Sequence, residues 1–221
     1  MMSLLCVVAT TYAQDDKDSD FQNPIRKGRF IGELDLGFDS GDFSQTHGIY
    51  VSDVESKNRI SRLDARIGYT FIDNLVVGLA FGNDHQKQEV TTPDLIGFAG
   101  TGSTSLTRTT GGFIGLGATY FFGKKKFRPF AGFSLGRSHV KAEIEDQNSV
   151  TELSGNGFGY TLDLGLAYFI NDHIGFEVRY VHYSNSSDVS GSGTASGFAF
   201  DLSYEEKQKI NIFEFGIIVA F

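Results

Sequence analysis

The chain has 221 residues, with 19 basic against 27 acidic side chains, a net charge of −8 at pH 7, and a single cysteine, Cys6. That balance excludes nucleic acid as the main partner, because a phosphate backbone is bound by clustered Lys and Arg. One cysteine likewise excludes a disulfide framework or a Cys-based zinc site. Glycine supplies 27 residues, about twice the usual ~7% share, without a collagen period, and 40% hydrophobic content with 3 prolines argues against disorder throughout.

In chain order, Met1–Ala13 (MMSLLCVVATTYA) is uncharged. Its apolar run Leu4–Ala9 and the small residue before Gln14-Asp15-Asp16 resemble a secretory signal cut after Ala13. The basic start of such a signal is missing, as a truncated start would leave it. Residues 14–27 are polar and read as a periplasmic lead-in, and 28–221 as one barrel domain.

From there the chain alternates with period two. Phe30, Leu34, Leu36 and Phe38 share one face, against Glu33 and Asp35 on the other. Leu63, Ala65, Ile67, Tyr69 and Phe71 oppose Arg62, Asp64 and Arg66. The same alternation marks Leu75–Phe81, Ile114–Phe122, Pro129–Leu135, Phe158–Tyr168, Ile174–Tyr180 and Phe213–Phe221. These are eight strands with no convincing helix, so the expected class is all-β. Three connections are tight, at Ile72-Asp73-Asn74, Gly123–Lys126 and Ile170–His173. Four are long and polar, roughly Asp39–Arg59, Asn83–Gly111, Ser138–Gly155 and Ser184–Lys209.

The bulkier face carries Phe, Tyr, Leu and Ile, and the opposite face Gly, Ala, Thr and charge. Eight strands enclose room only for small or interlocked side chains. The apolar face therefore looks outward, and lipid is the solvent that accepts it. Backbone polar groups in lipid must be satisfied by a closed sheet. Short turns at one end and long loops at the other fit an outer-membrane barrel with periplasmic turns and extracellular loops. Tyr69, Phe71, Tyr120, Phe121, Phe122, Phe127, Tyr168, Phe169 and Phe221 cluster near the tight turns, as an interfacial girdle would.

The stretches Gly68–Leu75 (GYTFIDNL), Tyr120–Gly136 (YFFGKKKFRPFAGFSLG) and Gly157–Asn171 (GFGYTLDLGLAYFIN) carry a family resemblance. The chain resembles the OmpA/OmpX-like eight-stranded outer-membrane barrels, in the form common in Bacteroidota. The resemblance implies an eight-stranded antiparallel transmembrane β-barrel in the outer membrane of a Gram-negative bacterium. It says little about function. The terminal Gly216, Val219 and Phe221 resemble the sorting signal read by the barrel-assembly machinery, although Phe215 stands where a polar residue is usual.

The inward charges are Glu33, Asp35, Asp64, Asp163, Glu177 and Glu214 against Arg62, Arg66 and Arg179. They read as a plug of ion pairs, since buried charges must be paired; a gated ion path is the sharper alternative. Lys124-Lys125-Lys126 reads as a solvated turn tip. His47, His85, His139 and His173 have no metal-site spacing, and neither metal nor cofactor is assigned.

Arg179–Asn185 (RYVHYSN) stands apart. His182 and Ser184 continue the outward phase at the end of the seventh strand. A His beside a Ser can take its proton and make it a nucleophile if an acid orients the ring. The His-x-Ser-Asn run resembles that of the PagL-like lipid A 3-O-deacylases. That resemblance implies Ser184 as nucleophile, His182 as base and Asn185 as oxyanion help, with Asp201, Glu205 or Glu206 as the acid. The bland alternative is an interfacial Tyr/His/Ser belt. The sequence thus leads to a structural or surface-interaction barrel, with a lipid A acyl-ester hydrolase as alternative and a small porin third. The implied partners are outer-membrane lipid including lipopolysaccharide, the assembly machinery, and an extracellular ligand the sequence does not name.

Overall fold

The computed structural model describes residues 22–45, 54–92, 103–146, 149–195 and 198–221. The signal reading of residues 1–13, and the lead-in as far as residue 21, lie outside the described residues. Among those residues the regular elements are strands: β1 (Phe30–Gln45), β2 (Val54–Ile72), β3 (Leu75–Thr92), β4 (Ser103–Phe121), β5 (Phe127–Asp146), β6 (Ser149–Phe169), β7 (Ile174–Ala195) and β8 (Phe198–Ala220). Each pairs antiparallel with its chain neighbours, and β1 closes on β8 from Ile31↔Ala220 to Gly37↔Glu214. Over those seven pairs the ring is closed and backbone donors and acceptors meet partners within the sheet; beyond Gly37↔Glu214 β1 pairs with β2 and β8 with β7.

The turns at one end are as tight as the sequence expects. Asp73-Asn74 joins β2 to β3 with Asn74 at φ 69°, and Gly123 turns the β4–β5 connection at φ 84°. Both lie in the left-handed region that Asn and Gly tolerate best. Near this end the outward face is apolar for about nine residues per strand, for example Phe30–Phe38, Leu63–Phe71 and Phe127–Leu135. At ~3.3 Å per residue and a tilt of ~45°, such a run covers about 20–25 Å. Its side chains stand exposed, with Phe38 at 73% and Leu116 at 68%.

The other end departs from the sequence expectation. The segments expected as long loops are largely strand: β5 runs to Asp146 before β6 begins at Ser149, and β7 runs to Ala195 before β8 begins at Phe198. The cause is a second alternation whose chemistry is reversed. Beyond the apolar band the inward positions become apolar, with Val140, Ala142, Leu153, Val181, Tyr183, Val189, Ile210 and Ile212 buried. The outward positions become polar. A reader tracking outward hydrophobicity sees the pattern stop there; the strand does not.

Candidate functional site

The lumen of the barrel is filled in layers. At the tight-turn end Ile25, Ile31, Val76, Phe121, Phe130, Phe169 and Ile218 form an apolar floor. Phe121 lies 5.3 Å from Phe130 and 6.3 Å from Phe169, centroid to centroid. This corrects the girdle: Phe121 and Phe169 are fully buried inside, while Tyr120, Phe122 and Tyr168 are exposed outside. Neighbours on a strand point to opposite faces, so a run of three aromatics cannot all meet lipid.

Residues 22–29 fold across this mouth. Asn74 N–H donates to the Ile25 carbonyl at 2.8 Å and Gly28 N–H to the Thr70 carbonyl at 2.9 Å. The Arg128 guanidinium donates to the carbonyls of Lys124 and Lys125 and to Asn23 Oδ1. Arg29 donates to the backbone carbonyls of Asp172, Ala220 and Phe221. Two buried arginines thus lace the N-terminal segment, two turns and the chain end together.

Above the floor lie the inward charges, all nine on the lumen side. Arg179 holds Asp35 at 2.5 Å and Glu214 at 2.8 Å, and approaches Glu33 and Asp64 at 3.7 and 3.6 Å. Arg66 grips Asp163 with two bonds of 2.7 and 2.8 Å. Arg62 reaches Asp64 at 3.0 Å and Glu214 at 3.3 Å. Glu177 offers an oxygen within 4.8 Å of oxygens on Glu33 and Asp35, a crowding of like charge that Arg179 and Arg66 offset. The sequence reading missed Asp84, placed in an expected loop; it is buried and lies 3.8 Å from Arg62.

Glycine makes this layer possible. Asp35 and Glu177 both stand opposite Gly216, Asp64 opposite Gly82, Asp84 opposite Gly111, Asp163 opposite Gly132, and Glu214 opposite Gly37. A Cβ on Gly216 would overlap Asp35 Oδ1, and one on Gly82 would come within 2.7 Å of Asp64 Oδ1. Asp35, Asp64, Asp84 and Asp163 put carboxylate oxygens into the slots left by missing side chains, and Glu214 puts its Cγ over Gly37. A cavity of about 10 Å³ beside the layer is lined by Ile31, Glu33, Arg66 and Thr119, a single water's worth. A second apolar layer seals the charges from the far side: Phe113 lies 5.8 Å from Tyr183 edge-on, and the Arg62 guanidinium sits 4.7 Å over the Tyr183 ring.

His182 and Ser184 face outward as the alternation requires. His182 stands beside the Tyr160 ring at 6.1 Å, and its Nδ1 bonds Asn211 Oδ1 at 2.7 Å. A neutral amide therefore takes the place where an orienting carboxylate would act. Glu205 instead accepts a 2.6 Å bond from Ser186 Oγ. It lies six residues from Asn211 along β8, about 20 Å. Asp201 and Glu206 pair in register with Ser192 and Ser187, farther along than His182. Asn185 points inward, buried, and donates to the Tyr183 hydroxyl at 3.0 Å. It stands on the wrong face to serve an oxyanion at Ser184, because one step along a strand reverses the side chain. Of the terminal residues, Gly216 faces the lumen, and Phe221 is 70% exposed outside with its N–H on the Phe30 carbonyl at 2.9 Å.

A family model described as an outer membrane protein beta-barrel domain matches residues 3–205. No curated protein matches the chain. Among solved structures it is similar to the outer membrane protein OprG from Pseudomonas aeruginosa, at 17% identity and a TM-score of 0.52, covering 89% of this chain and 97% of that one. It is also similar to the N-terminal beta-barrel domain of Pseudomonas aeruginosa OprF, at 16% identity and a TM-score of 0.37, covering 91% and 100%. Neisserial surface protein A follows at 13% identity and a TM-score of 0.39, covering 88% and 98%. At such identities the OprG likeness speaks for the fold alone.

Proposed function

The chain belongs to the outer membrane protein beta-barrel domain family, and we propose that it is a sealed surface barrel whose work is done on its outside. It is an integral protein of the cell outer membrane. In this reading the tight turns face the periplasm, and the polar-walled extension of β1–β8 stands outside the cell and presents a ligand surface. The OmpA/OmpX-like, Bacteroidota-type assignment belongs to the same proposal and rests on the stretches around Gly68–Leu75, Tyr120–Gly136 and Gly157–Asn171. Assembly proceeds through recognition of Gly216, Val219 and Phe221 by the barrel-assembly machinery.

The observation that carries the reading is the filled lumen. An ion crossing it would have to displace the Phe121–Phe130–Phe169 floor and the Arg179 and Arg62 pairs, all buried. Breaking one such pair costs about 3–5 kcal/mol, so a porin is the weaker reading. The lipid A hydrolase is weaker too, because Asn211 rather than a carboxylate meets His182; the Tyr160–His182 pair suits an interfacial belt. Planar-bilayer recording of the refolded chain tests the proposal. The expected result is no stable conductance; large, reproducible channels would overturn it in favour of the porin.

A further inference from the structure

Net acidic as it is, the chain places its cations unevenly. Take the first three outward positions beyond the apolar band on β2 to β8. Their side chains include Lys57, Arg59, Lys87, Arg108, Arg137, Lys141, Lys207 and Lys209, and among the described side chains one acid, Glu152. The collar is densest on β2–β5. There Arg59 stands directly opposite Lys87, and Lys87 directly opposite Arg108, in a single cross-strand row. Like charges in this position repel, with Cβ atoms ~4.5–5.5 Å apart. Arg108 is offset by Glu145 at 2.9 Å. Arg59 and Lys87 have no ion pair among the described residues.

Arg137 is placed more tellingly. It lies in register between Ile114 on β4 and Phe158 on β6, both exposed members of the apolar band. A guanidinium there must extend its stem along apolar surface and deliver its charge just above the acyl chains. It too has no ion pair among the described residues. Lys141 follows two outward positions on. An acidic protein that rims its apolar band with cations, Arg59, Lys87 and Arg137 among them without an ion pair among the described residues, has a surface complementary to an anion fixed at the acyl–headgroup boundary.

We propose that the outward face of β2–β5, anchored by Arg137, Arg59 and Lys87, binds the phosphates of lipid A in the outer leaflet. This rests on the reading that the extension stands outside the cell. Arg forms two parallel bonds to a phosphate, whereas Lys contributes a point charge, so Arg137 and Arg59 fix position and Lys87 and Lys141 add attraction.

The test uses the full chain, folded in detergent micelles, with bound lipid counted by native mass spectrometry. The probes are bisphosphoryl lipid A, the same lipid stripped of its phosphates, and phosphatidylglycerol. Bisphosphoryl lipid A should bind with half-saturation at least tenfold lower than either other lipid. Arg59→Gln/Lys87→Gln/Arg137→Gln should abolish that difference while Lys124→Gln, at the tight-turn end, keeps it. Heat-modifiable migration reports whether each variant is folded. If the triple variant fails to fold, Arg137→Gln alone should still weaken binding severalfold, and the comparison of lipids on the unaltered chain stands by itself. Equal binding of dephosphorylated lipid A would show that the apolar band acts alone. Equal binding of phosphatidylglycerol would show a general anionic surface. Full retention by the folded triple variant would place the contact elsewhere. Each of the three overturns the proposal. Conductance does not enter this readout, so failure here leaves the sealed barrel standing, and the reverse.

Discussion

The two halves of this barrel solve the same burial problem in opposite senses. Near the tight turns, large apolar side chains stand outside and arginine–carboxylate pairs, slotted over glycines, stand inside. In the far half the strands run on without a break, yet Tyr183, Leu153, Val189 and Ile212 are inside and Lys141, Ser186 and Lys209 outside. The backbone period is unchanged; the solvent is not. Lipid accepts Phe and Leu and offers nothing to a charge, whereas water rewards the reverse. In the proposed placement, the level at which the phase of the chemistry flips is where the outer surface leaves the membrane.

The comparison is most sharply broken at Arg179. Replacing it by Met leaves Asp35, Glu214 and Glu33 buried beside one another without the counter-charge they share. The loss should reach about 3–5 kcal/mol, read as a lower urea midpoint for the whole barrel. Leu153→Ala, in the far half, removes a buried side chain from a small cluster with Ala142 and Val189. Its cost starts at about 2 kcal/mol and should stay local. Protease should then cut the extension while the heat-modifiable band survives. If Leu153→Ala abolished that band, the two halves would be one cooperative unit.

Much of this was legible in the sequence. The outward apolar face, the tight turns at Asn74 and Gly123, and the lumen placement of Glu33, Arg66 and Arg179 all follow from alternation and from the small bore of eight strands. The upper strands were not legible in the same way. Val140-Lys141-Ala142 and Asp188-Val189-Ser190 alternate faithfully, but a search for outward hydrophobicity discards them as loop. Asp84 went missing for that reason. Asn211 at His182 could not be foreseen either, since cross-strand partners depend on register, and alternation alone does not say which β8 residue stands opposite His182.

Gly216 sharpens the contrast at a smaller scale. The sorting-signal reading needs this glycine for assembly, whereas the lumen needs it for space. Gly216→Ala should cost about 1–3 kcal/mol by overpacking even when the chain is refolded from urea into detergent without any assembly machinery. Gly32 faces outward on β1, where a Cβ would meet nothing nearer than Phe221 Cε2 at 3.8 Å. Gly32→Ala should be neutral or stabilising by up to ~1 kcal/mol, since Gly weakens a strand interior. Equal penalties at the two positions would mean that backbone freedom, not the carboxylate slot, explains the glycines.

The smallest effect is expected on the outside of the extension, at Glu205. Its carboxylate accepts the Ser186 hydroxyl across β7–β8 and lies 3.6 Å from Lys207, and these two hold its pKa below the ordinary range. A carboxyl depressed in the folded state contributes stability that is present above its unfolded pKa, ~4.3. That contribution is lost as pH falls through the lower folded value. Because Glu205 is fully exposed, solvent and salt screen most of it, in contrast to the Arg179 pairs below. Ser186→Ala should therefore raise the Glu205 pKa toward the ordinary value, followed by carboxyl carbon NMR, while the urea midpoint of the barrel stays where it was. A carboxyl unmoved by the substitution would show that Lys207 alone holds the charge there. A shifted midpoint would show that the outer wall of the extension is coupled to the lumen after all.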